Sequence, residues 1–267
     1  MVWLVAMPSL MLPSVAADTS QTVMIMSLLA GLMVFIEYFG RYPSILEFRF
    51  APPYNRLKFG FAFFTVIILS LYGRGVNDPT PLSDLVTRSG TAVGGLLDFH
   101  YSPLRSLMAL LPDEANTAQT EALRLIAGLS YVLSLSMVAV FLAVVKLTGW
   151  PVRHGAFNMA VNMPLFDPTG GGDVVERLYR DAALNISLGF VLPFLIPLAT
   201  LGLSDFVERV GFLHPQNMIW ITVAWAFLPA SMIMRGVAMY RIAELVSRKR
   251  RHAYAAKAGD DDALPAV

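Results

Sequence analysis

Five stretches of this chain are apolar over a length close to the thickness of a bilayer, and that feature limits what it can fold into. A helix rises 1.5 Å per residue, so about 20 mostly apolar residues cross a hydrocarbon core of about 30 Å. The stretches lie at about 22–39, 57–72, 122–147, 182–203 and 218–240. In hydrocarbon every backbone N–H and C=O must be satisfied within the protein, which leaves helices or a closed barrel, and continuous apolar segments of this length select helices. The expected fold is an all-α, polytopic transmembrane bundle of about five spans. Charged residues are only 15% of the 267, against roughly a quarter in ordinary globular domains, as lipid solvation requires. The second stretch is the shortest and needs Lys58 to snorkel.

Lys and Arg near span ends are retained on the cytoplasmic side, so their distribution orients the bundle. The first connection carries Arg41, Arg49, Arg56 and Lys58, and the third is bordered by Lys146, Arg153, Arg177 and Arg180. After the last stretch come Arg241, Arg248, Lys249, Arg250, Arg251 and Lys257. The opposite side holds Arg74, Arg88, Arg105 and Arg209, while Arg124 and Arg235 fall within spans. This asymmetry predicts an N-terminus outside and a C-terminus in the cytoplasm. Taking a bacterial origin, the expected location is the cell inner membrane, multi-pass.

Three regions divide the chain. Residues 1–17 are apolar and end in Ser14-Val15-Ala16-Ala17. They read either as a signal h-region with a small-residue cleavage site or as an interfacial segment broken by Pro8 and Pro13. Residues 18–247 form a single transmembrane domain. In its outer connection, 74–121, two short surface helices are expected, one capped by Ser83 and one by Ser102 with Pro103 in the first position. A re-entrant segment over 91–111 is the alternative, disfavoured by Asp98, His100 and Arg105. Asp173 is expected to cap a short polar helix leading into the fourth span, with Glu176 and Arg180 spaced for an i,i+4 pair. Residues 248–267 read as a basic-then-acidic cytoplasmic tail.

The chemistry is bounded mainly by what is missing. With no cysteine there are no disulfides, thiolate metal ligands, iron–sulfur ligands or cysteine nucleophile. None of the four histidines falls in a span, which excludes a bis-histidine haem or a histidine-rich di-iron centre inside the membrane. A net charge of +1 offers no basic excess for nucleic acid. Gly170-Gly171-Gly172 lacks the Lys-Ser/Thr of a phosphate loop and reads as a hinge. No catalytic, cofactor or metal residue is nominated.

Ionisable residues within spans are functional hypotheses by default. Glu37 and Arg235 have similar predicted depths, so they are expected to form an intramembrane ion pair. Pro193 and Pro197 in the fourth stretch and Pro229 in the fifth each remove a backbone donor. Together with Asn185 and Ser187 they define a possible polar crevice between those helices. Ser27 and Gly31 make a small-xxx-small pair, suited to close helix packing. The aromatic and arginine string from Glu37 to Tyr54 suits the headgroup region. Arg248, Lys249, Arg250 and Arg251 are expected to contact anionic lipid.

These features favour a non-enzymatic accessory, assembly or structural subunit that packs against other integral membrane proteins and membrane lipids. A channel or small-solute transporter using the Pro-rich crevice is the alternative, and a lipid-modifying membrane enzyme the second.

Overall fold

A computed structural model of the chain describes residues 1–13, 17–41, 44–112, 115–151, 157–167, 171–200 and 211–261. Arg153, His154, Gly170, Asp205, Arg209, the 14–16 part of the cleavage motif and the last residues of the tail lie outside these. The described residues form helices α1 (Val2–Met11), α2 (Ala17–Phe39), α3 (Tyr54–Gly75), α4 (Pro81–Leu97), α5 (Pro103–Met108), α6 (Thr117–Thr148), α7 (Met159–Asn162), α8 (Val174–Thr200) and α9 (Pro215–Asp261). No strand occurs among them. Five helices, α2, α3, α6, α8 and α9, are long and apolar enough to cross a membrane.

Local sequence explains where these helices start and stop. Asn116 and Gln119 form a capping box at the start of α6, each side chain accepting from the other residue's backbone N–H. Gly149, at φ 67°, ends α6 in the left-handed conformation that glycine adopts without steric cost. Helix α4 begins two residues before the expected Ser83. Thr80 is its N-cap, and Ser83 is the reciprocal member of the capping box. Helix α5 starts as expected, with Ser102 accepting from the Arg105 N–H. Asp173 does cap a helix, but that helix is the fourth span itself, continuous from Val174. Arg180 pairs with Asp181 at 3.7 Å instead of with Glu176.

Helix α9 is the centre of the bundle. It packs against α8, α6 and α3 and touches α1. Glycines set the closeness of α8 and α9. A Cβ on Gly189 would lie 2.7 Å from the Pro229 carbonyl oxygen, and one on Gly236 would lie 2.7 Å from that of Ala182. Close backbone approach of this kind is how helices associate where lipid supplies no hydrophobic driving force. Around α9 the interior holds Leu69, Leu123, Met137, Phe141, Leu178 and Met234.

Helix α1 packs against α2 and α3. It runs through Pro8 without ending and buries Leu4, Pro8 and Leu12. Val2 meets Gly31 of α2, Leu12 meets Gly73 of α3, and the Gln216 amide donates to Ser9 Oγ at 2.9 Å. The small face of Ser27 and Gly31 is therefore where α1 docks. Helix α2 packs on α1 and makes no comparable contact with any other helix.

Candidate functional site

The two basic connections and the start of the α9 extension meet at one end of the bundle. Within residues 44–53 the chain folds inward at Glu47, Phe48 and Ala51, which are buried. Phe48 is buried at φ 56°, in the left-handed region that a bulky residue occupies only when its surroundings compel it. Its N–H donates to the Asn162 carbonyl at 2.6 Å, and the Phe50 N–H donates to Asn162 Oδ1 at 2.9 Å. The Trp150 indole donates to the Ala51 carbonyl at 3.1 Å. Phe48, Tyr54, Phe141 and Trp150 pack ring against ring, with centroids 4.5–6.5 Å apart. The aromatic string expected at the headgroups is thus partly an interior plug, although Phe50 remains exposed with Arg49 stacked over its ring.

That inward fold delivers Glu47 to Arg235. The guanidinium donates to both carboxylate oxygens, Nε at 2.6 Å and Nη2 at 2.9 Å, and Nη1 donates to Asn185 Oδ1 at 3.2 Å. The bidentate fork is the strongest geometry available to this pair. The Glu47 side chain is 8% exposed and that of Arg235 26%. Asn55 Nδ2 ties the Glu47 carbonyl at 2.8 Å, and Asn185 Nδ2 ties the Asp181 carbonyl at 2.8 Å. Lys58, one turn after Tyr54, holds its ammonium 5.4 Å from the centre of that ring. The site therefore joins the first connection, α3, α8 and α9 through one ion pair.

Glu37 and Arg235, the pair expected from matched depth, have different partners. The Glu37 carboxylate accepts from the backbone N–H groups of Ser44, Ile45 and Leu46, at 3.1, 3.1 and 3.0 Å, and from the Ser44 hydroxyl. Arg49 donates to the Glu37 and Gly40 carbonyls at the end of α2. Glu37 thus anchors the loop beyond its own helix, and the second carboxylate, ten residues later, takes the arginine. Glu47 carried no helical-span signal, because it lies in a connection; only the inward fold of 44–53 reveals it.

The expected crevice between the last two spans is filled. Pro197 has no N–H, so the Pro193 carbonyl one turn earlier loses its helical donor. The Trp225 indole of α9 replaces it, donating at 2.8 Å while its ring stacks on Tyr131 of α6. Pro193, Pro197 and Pro229 are buried in this contact, and Asn185 is committed to Arg235. Ser187 points away from it and is exposed.

The basic tail is helical and exposed. Helix α9 continues through it to Asp261. Arg248 pairs with Glu244, and Arg250 pairs with Asp173 at 2.7 Å, leaving Lys249 and Arg251 exposed. The Val175 N–H, foremost, and then Arg250 hold the Asp173 carboxyl below its ordinary value. At the opposite end Asp98 lies between Arg105 at 3.3 Å and Arg124 at 3.0 Å, which supplies the partner for the arginine within the third span.

No grouping of three or more His, Cys, Asp or Glu with metal-binding geometry occurs among the described residues. Compared with known protein families, functionally characterised proteins and solved structures, the chain matches none.

Proposed function

We propose that this multi-pass membrane protein is a non-catalytic accessory or assembly subunit, and that α2 is the helix it presents to another integral membrane protein. The observation that carries this reading is the placement of α2. Of its apolar window 6% of residues are buried, against 61% for α9. Met24, Leu28, Phe35 and Phe39 on α2 are among its large exposed apolar side chains. The helix is nonetheless fixed at both ends, by α1 near its start and by the Glu37 nest at its finish. A span held rigidly outside its own bundle is a preorganised docking element, since little entropy is lost when a partner covers it.

The main ionisable residues inside the bundle support the same reading, because they are used up in joining elements. Arg235 is spent on Glu47 and Asn185, and Trp225 fills the space a solute path between α8 and α9 would need. The setting proposed is the inner membrane of a bacterial cell, with the basic end in the cytoplasm.

The experiment is photo-crosslinking in native membranes from single positions around α2, namely Met24, Leu28, Ile25 and Leu32. The reading predicts one stoichiometric protein adduct from neighbouring positions of one face and lipid adducts from the remainder. Lipid adducts from every position, or solute flux through vesicles containing this chain alone, contradict it.

A further inference from the structure

Helices α6 and α8 both pack on α9 but scarcely touch each other. Between them, over α9, lies a groove of about 540 Å³, within the usual range of ligand sites, roughly 300–1,000 Å³. Its walls are Leu142 and Val145 of α6 and Ile186 of α8, and its floor is Val237. These residues lie toward the basic end of α6 and α9, and Leu142 among them is exposed.

The rim of the groove has a different character. Lys146, Tyr240, Arg241 and Glu244 line it where the spans leave the hydrocarbon. The single carboxylate of Glu244 is shared by Arg241 and Arg248, so that cluster keeps one net positive charge. Lys146 is exposed and has no ion-pair partner among the described residues, which adds a second. Tyr240 is 54% exposed and meets Tyr179 edge to face, with a hydroxyl-bearing ring of the kind that settles at headgroup depth.

We infer that this groove is a binding site for one anionic phospholipid of the leaflet at the basic end, with an acyl chain along Leu142, Val145, Ile186 and Val237 and the phosphate between Lys146 and Arg241. The apolar length selects a lipid over a free anion, because a free phosphate would use the rim alone. The net positive rim selects an anionic headgroup over a zwitterionic one, at about 1 kcal/mol per cationic side chain near the surface. The site is separate from the exposed Lys249 and Arg251 of the α9 extension and does not depend on the role assigned to α2.

The test is native mass spectrometry of the full chain in neutral detergent, titrated with phosphatidylglycerol or with phosphatidylcholine of the same acyl composition. Wild type should retain phosphatidylglycerol in a one-to-one complex and bind phosphatidylcholine more weakly. Lys146→Gln should weaken phosphatidylglycerol binding about fivefold, the factor equivalent to one such charge, and Lys146→Arg should preserve it. Leu142→Trp, at an exposed groove position, should weaken both lipids, and Lys249→Gln with Arg251→Gln should weaken neither. Equal retention of the two lipids overturns the proposal. So does selectivity that survives Lys146→Gln but disappears in the Lys249/Arg251 variant, or full displacement of phosphatidylglycerol by millimolar inorganic phosphate.

Discussion

Helices α2 and α9 are both apolar enough to span a bilayer, yet one stands outside the bundle and the other runs through its middle. Hydropathy does not separate them; the residues that interrupt the apolar surface do. Helix α9 carries Gly236 for close approach, Trp225 for an orphaned carbonyl and Arg235 for a carboxylate from another element. Helix α2 carries the narrow Ser27 and Gly31 face, which α1 occupies, and Glu37, which turns to its own following loop. In a membrane, where apolar burial against protein and against lipid are nearly equivalent, small and polar residues decide which helix becomes the core.

The largest expected effect comes from removing the link between the inner connection and α9. Glu47→Gln leaves the Arg235 guanidinium without its bidentate partner and should cost about 3–5 kcal/mol of stability. Glu37→Gln, at the end of α2, weakens a set of exposed hydrogen bonds without orphaning an arginine and should cost less than Glu47→Gln. The double variant Glu47→Gln with Arg235→Gln should lose less than the sum of its singles. Thermal unfolding in detergent measures all four, and additive losses would show that Glu47 and Arg235 are not coupled.

A smaller effect separates two glycines on helices of equal standing by hydropathy. Gly236→Ala places a methyl group against the Ala182 carbonyl and should destabilise by about 1–3 kcal/mol, the usual penalty for overpacking. Gly60→Ala on α3 meets nothing within 4 Å and should stabilise by about 0.5–1 kcal/mol through helix propensity. Thermal shifts of the same sign in both would break the distinction between packed and lipid-facing positions.

The smallest effect is expected where the α9 extension meets the cap of α8. Asp173 has its carboxyl lowered by the Val175 N–H and by Arg250, so its folded value lies below its unfolded one. Its contribution to stability is therefore complete above the unfolded value and is lost as pH falls through the lowered folded value. Acidification below the ordinary carboxylate range should release the first turn of α8 and the Arg250 contact, read as faster amide exchange at Val175. Asp173→Asn should remove most of that pH dependence, and an unchanged profile in the variant would contradict the assignment.

The spans were legible in the sequence because length and apolarity determine them with little help from tertiary context. The Ser102 cap and the docking face at Ser27 and Gly31 were legible for a related reason, since each rests on local spacing. The site was legible in half. Arg235 announced itself as a charge inside a span, but its partner depended on an inward turn in which Phe48 and its neighbours meet Trp150 and Asn162, about 100 positions further along the chain. Depth alone could not choose between Glu37 and Glu47, which approach the same end of the bundle. The three prolines marked the right interface but suggested a gap, because a proline shows which carbonyl it frees and not which distant side chain takes it. The tail read as solvated for lack of apolar residues, and residues 248–255 are exposed; that α9 continues through it, tied by ion pairs to Glu244 and Asp173, depended on residues outside the tail.

The contrast between α2 and α9 can be read directly by spin labels, because the natural chain has no cysteine to interfere. Single cysteines at Ile25, Leu28, Leu32 and Phe35 on α2, and at Ile219 and Ala226 on α9, would be labelled and their collision rates with oxygen dissolved in the bilayer measured. The same labelled chains would be examined alone in nanodiscs and within their native assembly. The account predicts high oxygen accessibility at all four α2 positions in nanodiscs, low accessibility at both α9 positions, and protection of one face of α2 in the native assembly. Low accessibility on α2 in nanodiscs would contradict the outlying placement, and identical α2 profiles in the two settings would contradict its role as a docking helix.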